Sequence, residues 1–172
     1  MTSQFWACFR HRDGIEGERG FTLLEIMVVM AIIAILATMS VPFYQSVVKS
    51  AEIRSSVADL ETMSRVIDAY IGQHGYAPAS LSDVGIEGFT DPWGRPYHYL
   101  RLANAPDAAP PMVGAARTGA DALPVNSDYD LFTIGADGEY LAELSAPESR
   151  DDVIRADNGS FHGAVFEYHE TP

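Results

Sequence analysis

The sequence predicts an α+β protein in which a long N-terminal helix packs on a small antiparallel sheet with long C-terminal loops. Three observations predict this class: an apolar run near the N-terminus, a helical apolar stripe after it, and short alternating segments further on. The 172 residues are 47% hydrophobic, which is enough for the core of one compact domain. We expect three segments: an N-terminal segment 1–20, a hydrophobic helix 21–43 and a head 44–172.

The charge balance restricts the possible partners. The chain has 11 basic and 24 acidic side chains and a formal net charge of −13. This charge repels polyanions, so nucleic acid is not expected as a partner, and cations are the more natural ligands. The single cysteine, Cys8, rules out an internal disulfide and a Cys-x-x-Cys zinc or redox site.

The apolar run extends from Phe21 to Val41, and the stretch 26–37 is apolar without a break. A helix needs about 20 residues to cross a hydrocarbon core of about 30 Å, so this run is long enough. No second run of this kind follows in the sequence. The chain is therefore predicted to be either a single-pass membrane protein or a protein with an N-terminal export signal.

Three interpretations of this run compete. A secretory signal peptide would be cleaved near Ala37–Ser40, but the residues before the run carry no net charge. A plain membrane anchor has no use for Glu25, whose carboxylate costs about 2.5–3.5 kcal/mol near a bilayer centre. A cut between Gly20 and Phe21 would instead create an α-amino group that is mostly protonated at pH 7. That cation could pair with the Glu25 carboxylate of a neighbouring subunit.

The hydrophobic helix is expected to continue into an amphipathic one at 47–73. Pro42 removes a backbone donor, so a kink is predicted there. Glu61 and Arg65 are spaced for a solvent-facing ion pair. Together the two halves predict one helix over 22–73. Its apolar stripe, at spacings of three and four residues, consists of Ile53, Val57, Leu60, Met63, Ile67 and Tyr70.

The sheet and loops are expected within 90–172. The sequence Asp-Pro-Trp-Gly-Arg-Pro-Tyr at 91–97 predicts a turn built from proline and glycine around Trp93. Alternation predicts strands at 97–102 and 128–134, and a last short strand at 164–168. The segment 103–125 is rich in Ala, Pro and Gly and is expected to be a loop.

The segment 19–25, Arg-Gly-Phe-Thr-Leu-Leu-Glu before apolar residues, resembles the class III signal of type IV pilins and pseudopilins. The resemblance implies that residues 1–20 are a prepilin leader peptide. It implies that a prepilin peptidase cuts between Gly20 and Phe21 and methylates the new N-terminus. It also implies that Glu25 guides assembly by meeting the N-terminus of a neighbouring subunit.

Two further motifs narrow this resemblance. Asp-Pro-Trp-Gly at 91–94, followed by Gly-Ala-Asp-Gly at 135–138, resembles the major, G-type pseudopilin of type II secretion systems. The resemblance implies a homo-oligomeric pseudopilus that drives protein export. Its expected partners are minor pseudopilins, an inner-membrane platform protein and a cytoplasmic ATPase. It places the chain in the bacterial inner membrane as a single-pass protein with a periplasmic head.

The same resemblance implies a calcium ion in a C-terminal loop. Asp137 matches the Gly-Ala-Asp-Gly motif, and Asp151 and Asp152 resemble the acidic pair that closes the site, with Asp157 and Asn158 as alternatives. Calcium takes six to eight oxygen ligands, which clustered carboxylates supply. The intervening 139–150 is longer than expected for the family. A solvated run of charge is the competing interpretation.

The sequence gives no sign of an enzyme. The histidines lack the i, i+4 spacing of a helical zinc pair, and neither a nucleophile elbow nor a phosphate-binding loop is present. Two alternatives to the pseudopilus subunit stay open. The chain could be a type IV pilin or minor pilin, or an exported soluble periplasmic binding domain with a signal peptide.

Overall fold

The computed structural model describes residues 20–102 and 115–168. The chain forms two compact units, Met1–Phe43 and Tyr44–Pro172. Of the predicted leader 1–20, all but Gly20 lies outside the described residues.

The first element is helix α1, Leu23–His74. Its residues 23–43 belong to the first unit, and its residues 44–74 belong to the second. Its 52 residues confirm the helix predicted over 22–73. The helix begins after Thr22, and Pro42 lies inside it. It ends at His74, and Gly75 follows with a φ of 82°, a left-handed conformation that suits glycine after a helix.

The second half of α1 covers the sheet through the predicted stripe. Leu60, Met63 and Ile67 are fully buried, and Ile53 and Val57 pack at the edge of the same cluster. The exposed Glu61 and Arg65 form the predicted pair on the solvent side, with 3.6 Å between their charged atoms. The spacing of apolar residues therefore predicted correctly which face of the helix is buried.

The sheet has four antiparallel strands in the order β1-β2-β3-β4. The strands are β1 His98–Arg101, β2 Tyr129–Thr133, β3 Val153–Ala156 and β4 Phe161–Ala164. In this register His98 lies opposite Phe132, and Phe132 lies opposite Ile154. Strands β1 and β2 fall within the two segments predicted from alternation.

The two faces of the sheet carry separate cores, because neighbouring side chains on a strand point to opposite faces. Tyr129, Leu131 and Val153 belong to the cluster that includes the stripe of α1. Phe132 and Ile154 belong to a second cluster. All five residues of β2 are buried, so this strand is the centre of the head.

The end of the chain differs from the prediction. The strand predicted over 164–168 is wrong: β4 ends at Ala164, and Val165–Tyr168 forms a short helix, α2. A short apolar run fits a strand or a buried helical turn equally well by pattern. Of the predicted loop 103–125, residues 103–114 lie outside the described residues, and Thr118 forms isolated bridges to Pro124 and Glu143.

Candidate functional site

The helix from Leu23 to Phe43 presents an apolar surface. Fifteen large apolar side chains between Phe21 and Phe43 are 46–79% exposed. By length and composition, α1 can cross a membrane, with a mean hydropathy of 2.5 in its most apolar window. Because exposed apolar surface costs about 25 cal/mol per Å², this surface requires lipid or other apolar helices around it.

The start of α1 positions Glu25. The backbone N–H of Glu25 donates to the Thr22 hydroxyl at 3.2 Å, which caps the helix. Glu25 lies in the first turn, where the helix dipole favours a negative charge. Within residues 20–102 and 115–168, the carboxylate of Glu25 forms no ion pair.

Gly20 and Phe21 precede the helix and are exposed. A peptidase needs an accessible, non-helical peptide bond, and this pair satisfies that requirement. Cleavage between the two residues and methylation of Phe21 stay predictions.

The Asp-Pro-Trp-Gly motif is organised by Asp91, a buried carboxylate. One oxygen, Oδ1, accepts the backbone N–H groups of Trp93 at 3.0 Å and Arg95 at 2.8 Å. The other, Oδ2, accepts the Thr133 hydroxyl of β2 at 2.5 Å. The motif therefore shapes a turn and fixes that turn to the central strand.

The Gly-Ala-Asp-Gly motif begins the segment 135–152, here called the acidic loop. Oδ2 of Asp151 accepts the backbone N–H groups of Ala136 at 2.7 Å and Asp137 at 3.3 Å. Gly135 has a φ of 62°, and a Cβ there would lie 2.6 Å from Cγ of Asp151. Only glycine therefore allows the carboxylate to approach so closely.

Arg95 joins the two motifs. Its guanidinium donates to the Gly135 carbonyl oxygen, and Nε lies 3.6 Å from the Asp91 carboxylate. The side chain also lies near Trp93, with 5.7 Å between the guanidinium carbon and the ring centroid. Two motifs that are far apart in the sequence are thus held in one cluster.

Asp152 has a different environment from Asp151. It is fully buried, and Oδ2 accepts a hydrogen bond from Nη2 of Arg117 at 2.5 Å. Burial raises the pKa of the Asp152 carboxyl to about 7, because desolvation disfavours its charged form more than Arg117 favours it. The nearby Asp151 and Asp137 carboxylates act in the same direction as burial. Asp152 and Arg117 are therefore paired in a strongly desolvated place.

These positions test whether the predicted calcium ligands fit one ion. Asp137 accepts the Glu139 N–H at 2.9 Å, while Asp151 and Asp152 are engaged as described. Within the described residues, no group of three or more acidic, histidine or cysteine side chains is arranged to hold a metal. A calcium ion shared by these three carboxylates does not fit this arrangement, and calcium binding itself stays a prediction.

The two alternative ligands also have partners. Asp157 accepts the Tyr168 hydroxyl at 3.1 Å, and the Asn158 side chain accepts the Ser127 N–H at 2.8 Å. Both residues shape the turn between β3 and β4.

His98 and His162, two of the histidines within the described residues, lie in structural positions. Nε2 of His162 is 3.2 Å from the Ser64 hydroxyl, but Ser64 is buried in the face of α1 that covers the sheet. A nucleophile needs access to its substrate, so this pair is not arranged for catalysis. His98 stacks on Phe132 with ring centroids 5.1 Å apart. Burial lowers the pKa of both imidazoles.

Sequence reasoning missed the contributions of Asp91, Arg95 and Arg117. Arg117 lies in a segment predicted to be a plain loop. One signal was available: from residue 102 onwards the sequence has only three basic residues, Arg117, Arg150 and Arg155. Because unpaired buried charges are costly, scarce cations in an acidic head are good candidates for structural pairs.

The chain is similar to known proteins in two ways. The model of the prokaryotic N-terminal methylation motif matches residues 17–41. Type II secretion system core protein G of Klebsiella pneumoniae is 30% identical over 148 residues, which cover 81% of this chain and 94% of that protein. Core protein G of Escherichia coli K12 is 29% identical over 147 residues, 73% of this chain and 87% of that protein.

The similarity to a pilin covers a smaller share of the chain. A fimbrial protein of Neisseria meningitidis serogroup A is 30% identical over 87 residues. The chain spans about half the length of that protein, 51%. No solved structure matches the chain significantly.

Proposed function

The chain belongs to the core protein G family of type II secretion systems, and from that premise we propose that it is a structural subunit of a pseudopilus. The observation that carries the proposal is the exposed apolar helix with Glu25 in its first turn, directly after a methylation motif. A filament subunit needs such a surface, because neighbouring helices bury it when they bundle.

A prepilin peptidase prepares the subunit. It cuts between Gly20 and Phe21 on the cytoplasmic side and methylates the new α-amino group. The exposure of both residues and the matched motif at 17–41 support this step. The new terminus is then four residues from Glu25 along the chain.

Glu25 then guides assembly. An isolated carboxylate near the apolar region is costly, and so is an isolated ammonium group. When the α-amino group of one subunit meets the Glu25 carboxylate of the next, each charge satisfies the other. The pairing favours one axial offset between subunits, because any other offset leaves both charges unpaired.

Membership of the family supports a proposal for the location and the remaining partners. The subunit is anchored in the bacterial inner membrane with its head in the periplasm. A platform protein in that membrane, minor pseudopilins and a cytoplasmic ATPase take part in its assembly, and the growing pseudopilus drives protein export. The protein works as a mechanical part and catalyses no reaction.

A type IV pilin is the weaker alternative. Similarity to the core G protein of Klebsiella pneumoniae covers 81% of the chain, whereas the fimbrial relative matches about half of it. An exported binding domain with an ordinary signal peptide is also disfavoured, because it gives no role to the methylation motif or Glu25.

Substitution of Glu25 tests the assembly step. We expect Glu25→Ala to leave cleavage intact, with a mature product that begins at methylated Phe21 by mass spectrometry. Filaments seen by electron microscopy of sheared cells should be lost, because the neighbouring N-terminus has no counter-ion. The control is Glu52→Ala, which removes an acid from the same helix outside the apolar run and should assemble normally.

Two results would contradict the proposal. Purified native protein that still carries residues 1–20 would exclude processing at Gly20. Normal filaments from Glu25→Ala would exclude the charge pairing.

A further inference from the structure

We propose that Arg117, rather than a bound calcium ion, supplies the positive charge that holds the acidic loop to the head. The inference starts from the misfit between the three predicted calcium ligands and a single ion. Such a role for Arg117 in the head does not depend on filament assembly.

The cation is built into the interior. Arg117 is 2% exposed, and its Nη2 binds Oδ2 of the fully buried Asp152. The guanidinium carbon lies 4.6 Å from the ring centroid of Phe132 and 5.5 Å from that of Tyr140. Aromatic faces attract a desolvated cation. Tyr140 belongs to the acidic loop, so the guanidinium contacts that loop through an aromatic ring and a carboxylate.

The backbone around Arg117 fixes the guanidinium in place. The N–H of Arg117 donates to the buried Asp130 carboxylate of β2 at 2.7 Å. The next residue, Thr118, donates its N–H to the carbonyl of Ala142 at 2.8 Å and accepts the N–H of Leu144 at 2.9 Å. The segment that carries the cation is therefore bonded to the central strand on one side and to the acidic loop on the other.

Asp152 is the carboxylate of the acidic loop that binds this cation. Oδ1 of Asp152 is buried and has no hydrogen-bond partner among the described residues, and the same holds for Nε and Nη1 of Arg117. Each of these two groups therefore depends mainly on the other. A divalent cation bound to Asp152 would lie beside a guanidinium of like charge, which opposes its binding.

The rest of the loop is held by bonds that need no metal. The Asp151 carboxylate binds two backbone N–H groups of the Gly-Ala-Asp-Gly turn, and Arg95 binds the Gly135 carbonyl oxygen. The Asp151 carboxylate, one of the three predicted calcium ligands, is thus bonded to the chain itself. Contacts between protein groups are therefore present at both ends of the loop.

Thermal unfolding of the full chain in detergent, followed by near-ultraviolet circular dichroism, tests the inference. We expect the wild type to unfold at the same temperature in calcium and in a chelator. Arg117→Met should lower the midpoint by roughly 10 °C, because it leaves a buried carboxylate unpaired. The matched control is Arg150→Met, which removes an exposed arginine of the same loop and should leave the midpoint unchanged.

A second measurement does not depend on the stability of a variant. Equilibrium dialysis of the wild-type chain against radioactive calcium should show no stoichiometric binding. One bound calcium per chain, or a higher midpoint of the wild type in calcium, would overturn the inference. So would an Arg117→Met midpoint equal to that of Arg150→Met.

Discussion

Gly135→Ala tests how the acidic loop is closed. The φ of Gly135 is 62°, and the added Cβ would lie 2.6 Å from Cγ of Asp151. A left-handed alanine costs about 1 kcal/mol. Displacing Asp151 removes the acceptor of two exposed backbone N–H groups, at about 0.5–1.5 kcal/mol each. We therefore expect a total loss of about 2–4 kcal/mol in the free energy of unfolding.

Gly85→Ala provides the control, because it separates backbone strain from the clash. Its φ is 71°, and a Cβ there would meet nothing within 4 Å. This variant should lose only about 1 kcal/mol, so the difference of about 1–3 kcal/mol measures the displacement of Asp151. In an Asp151→Ala background, the excess cost of Gly135→Ala should disappear.

Thermal unfolding of the full chain in detergent measures these differences, since each kcal/mol shifts the midpoint by roughly 2–4 °C in a chain of this size. Gly135→Ala and Gly85→Ala with equal midpoints would refute the role given to Asp151.

Two further predictions concern the core of the head. Leu60→Ala should lower the free energy of unfolding by about 2–5 kcal/mol, because Leu60 is fully buried on the face of α1 that covers the sheet. The control is Leu123→Ala at an exposed position, which should change that free energy by less than about 0.5 kcal/mol. Burial lowers the pKa of His162, with Arg155 as a further cause, so the unfolded chain binds protons first as pH falls. Stability should therefore decrease below about pH 6.5, and His162→Gln should reduce the slope in pH-dependent denaturant titrations; an unchanged slope would contradict this assignment.

The long helix and the central strands could be predicted because their signals are local. The stripe of α1 repeats over several turns, and β1 and β2 alternate clearly, so neighbouring residues alone identify the buried faces. Glu25 was identifiable in the same way, as an acid inside an apolar run.

Strand β3 could not be predicted because its pattern is interrupted by a charge. Arg155 is 2% exposed within this strand, and it stays buried by binding the Asp128 carboxylate at 2.7 Å. A buried arginine is acceptable only when its partner is present, and that partner lies 27 residues away in the sequence. A single sequence does not show such long-range pairs.

The same reason explains why the contacts of the acidic loop could not be predicted from the sequence. Its acids and motif positions were visible, but their partners were not. Arg117 lies 35 residues before Asp152, and Arg95 lies 40 residues before Gly135. Charge composition indicated that cations are the more natural ligands of the chain, whereas the partners of the individual acids depend on how the chain folds back.

The contacts of Arg95 give the protein an intrinsic optical probe. The sequence has two tryptophans, Trp6 and Trp93, and the proposed cleavage after Gly20 would leave Trp93 as the one tryptophan of the mature subunit. The guanidinium beside its indole also binds the Gly135 carbonyl, so release of that carbonyl would change the surroundings of the fluorophore. Emission from Trp93 should therefore report the opening of the 135–138 turn in an unlabelled filament, where dyes attached to the surface would disturb packing.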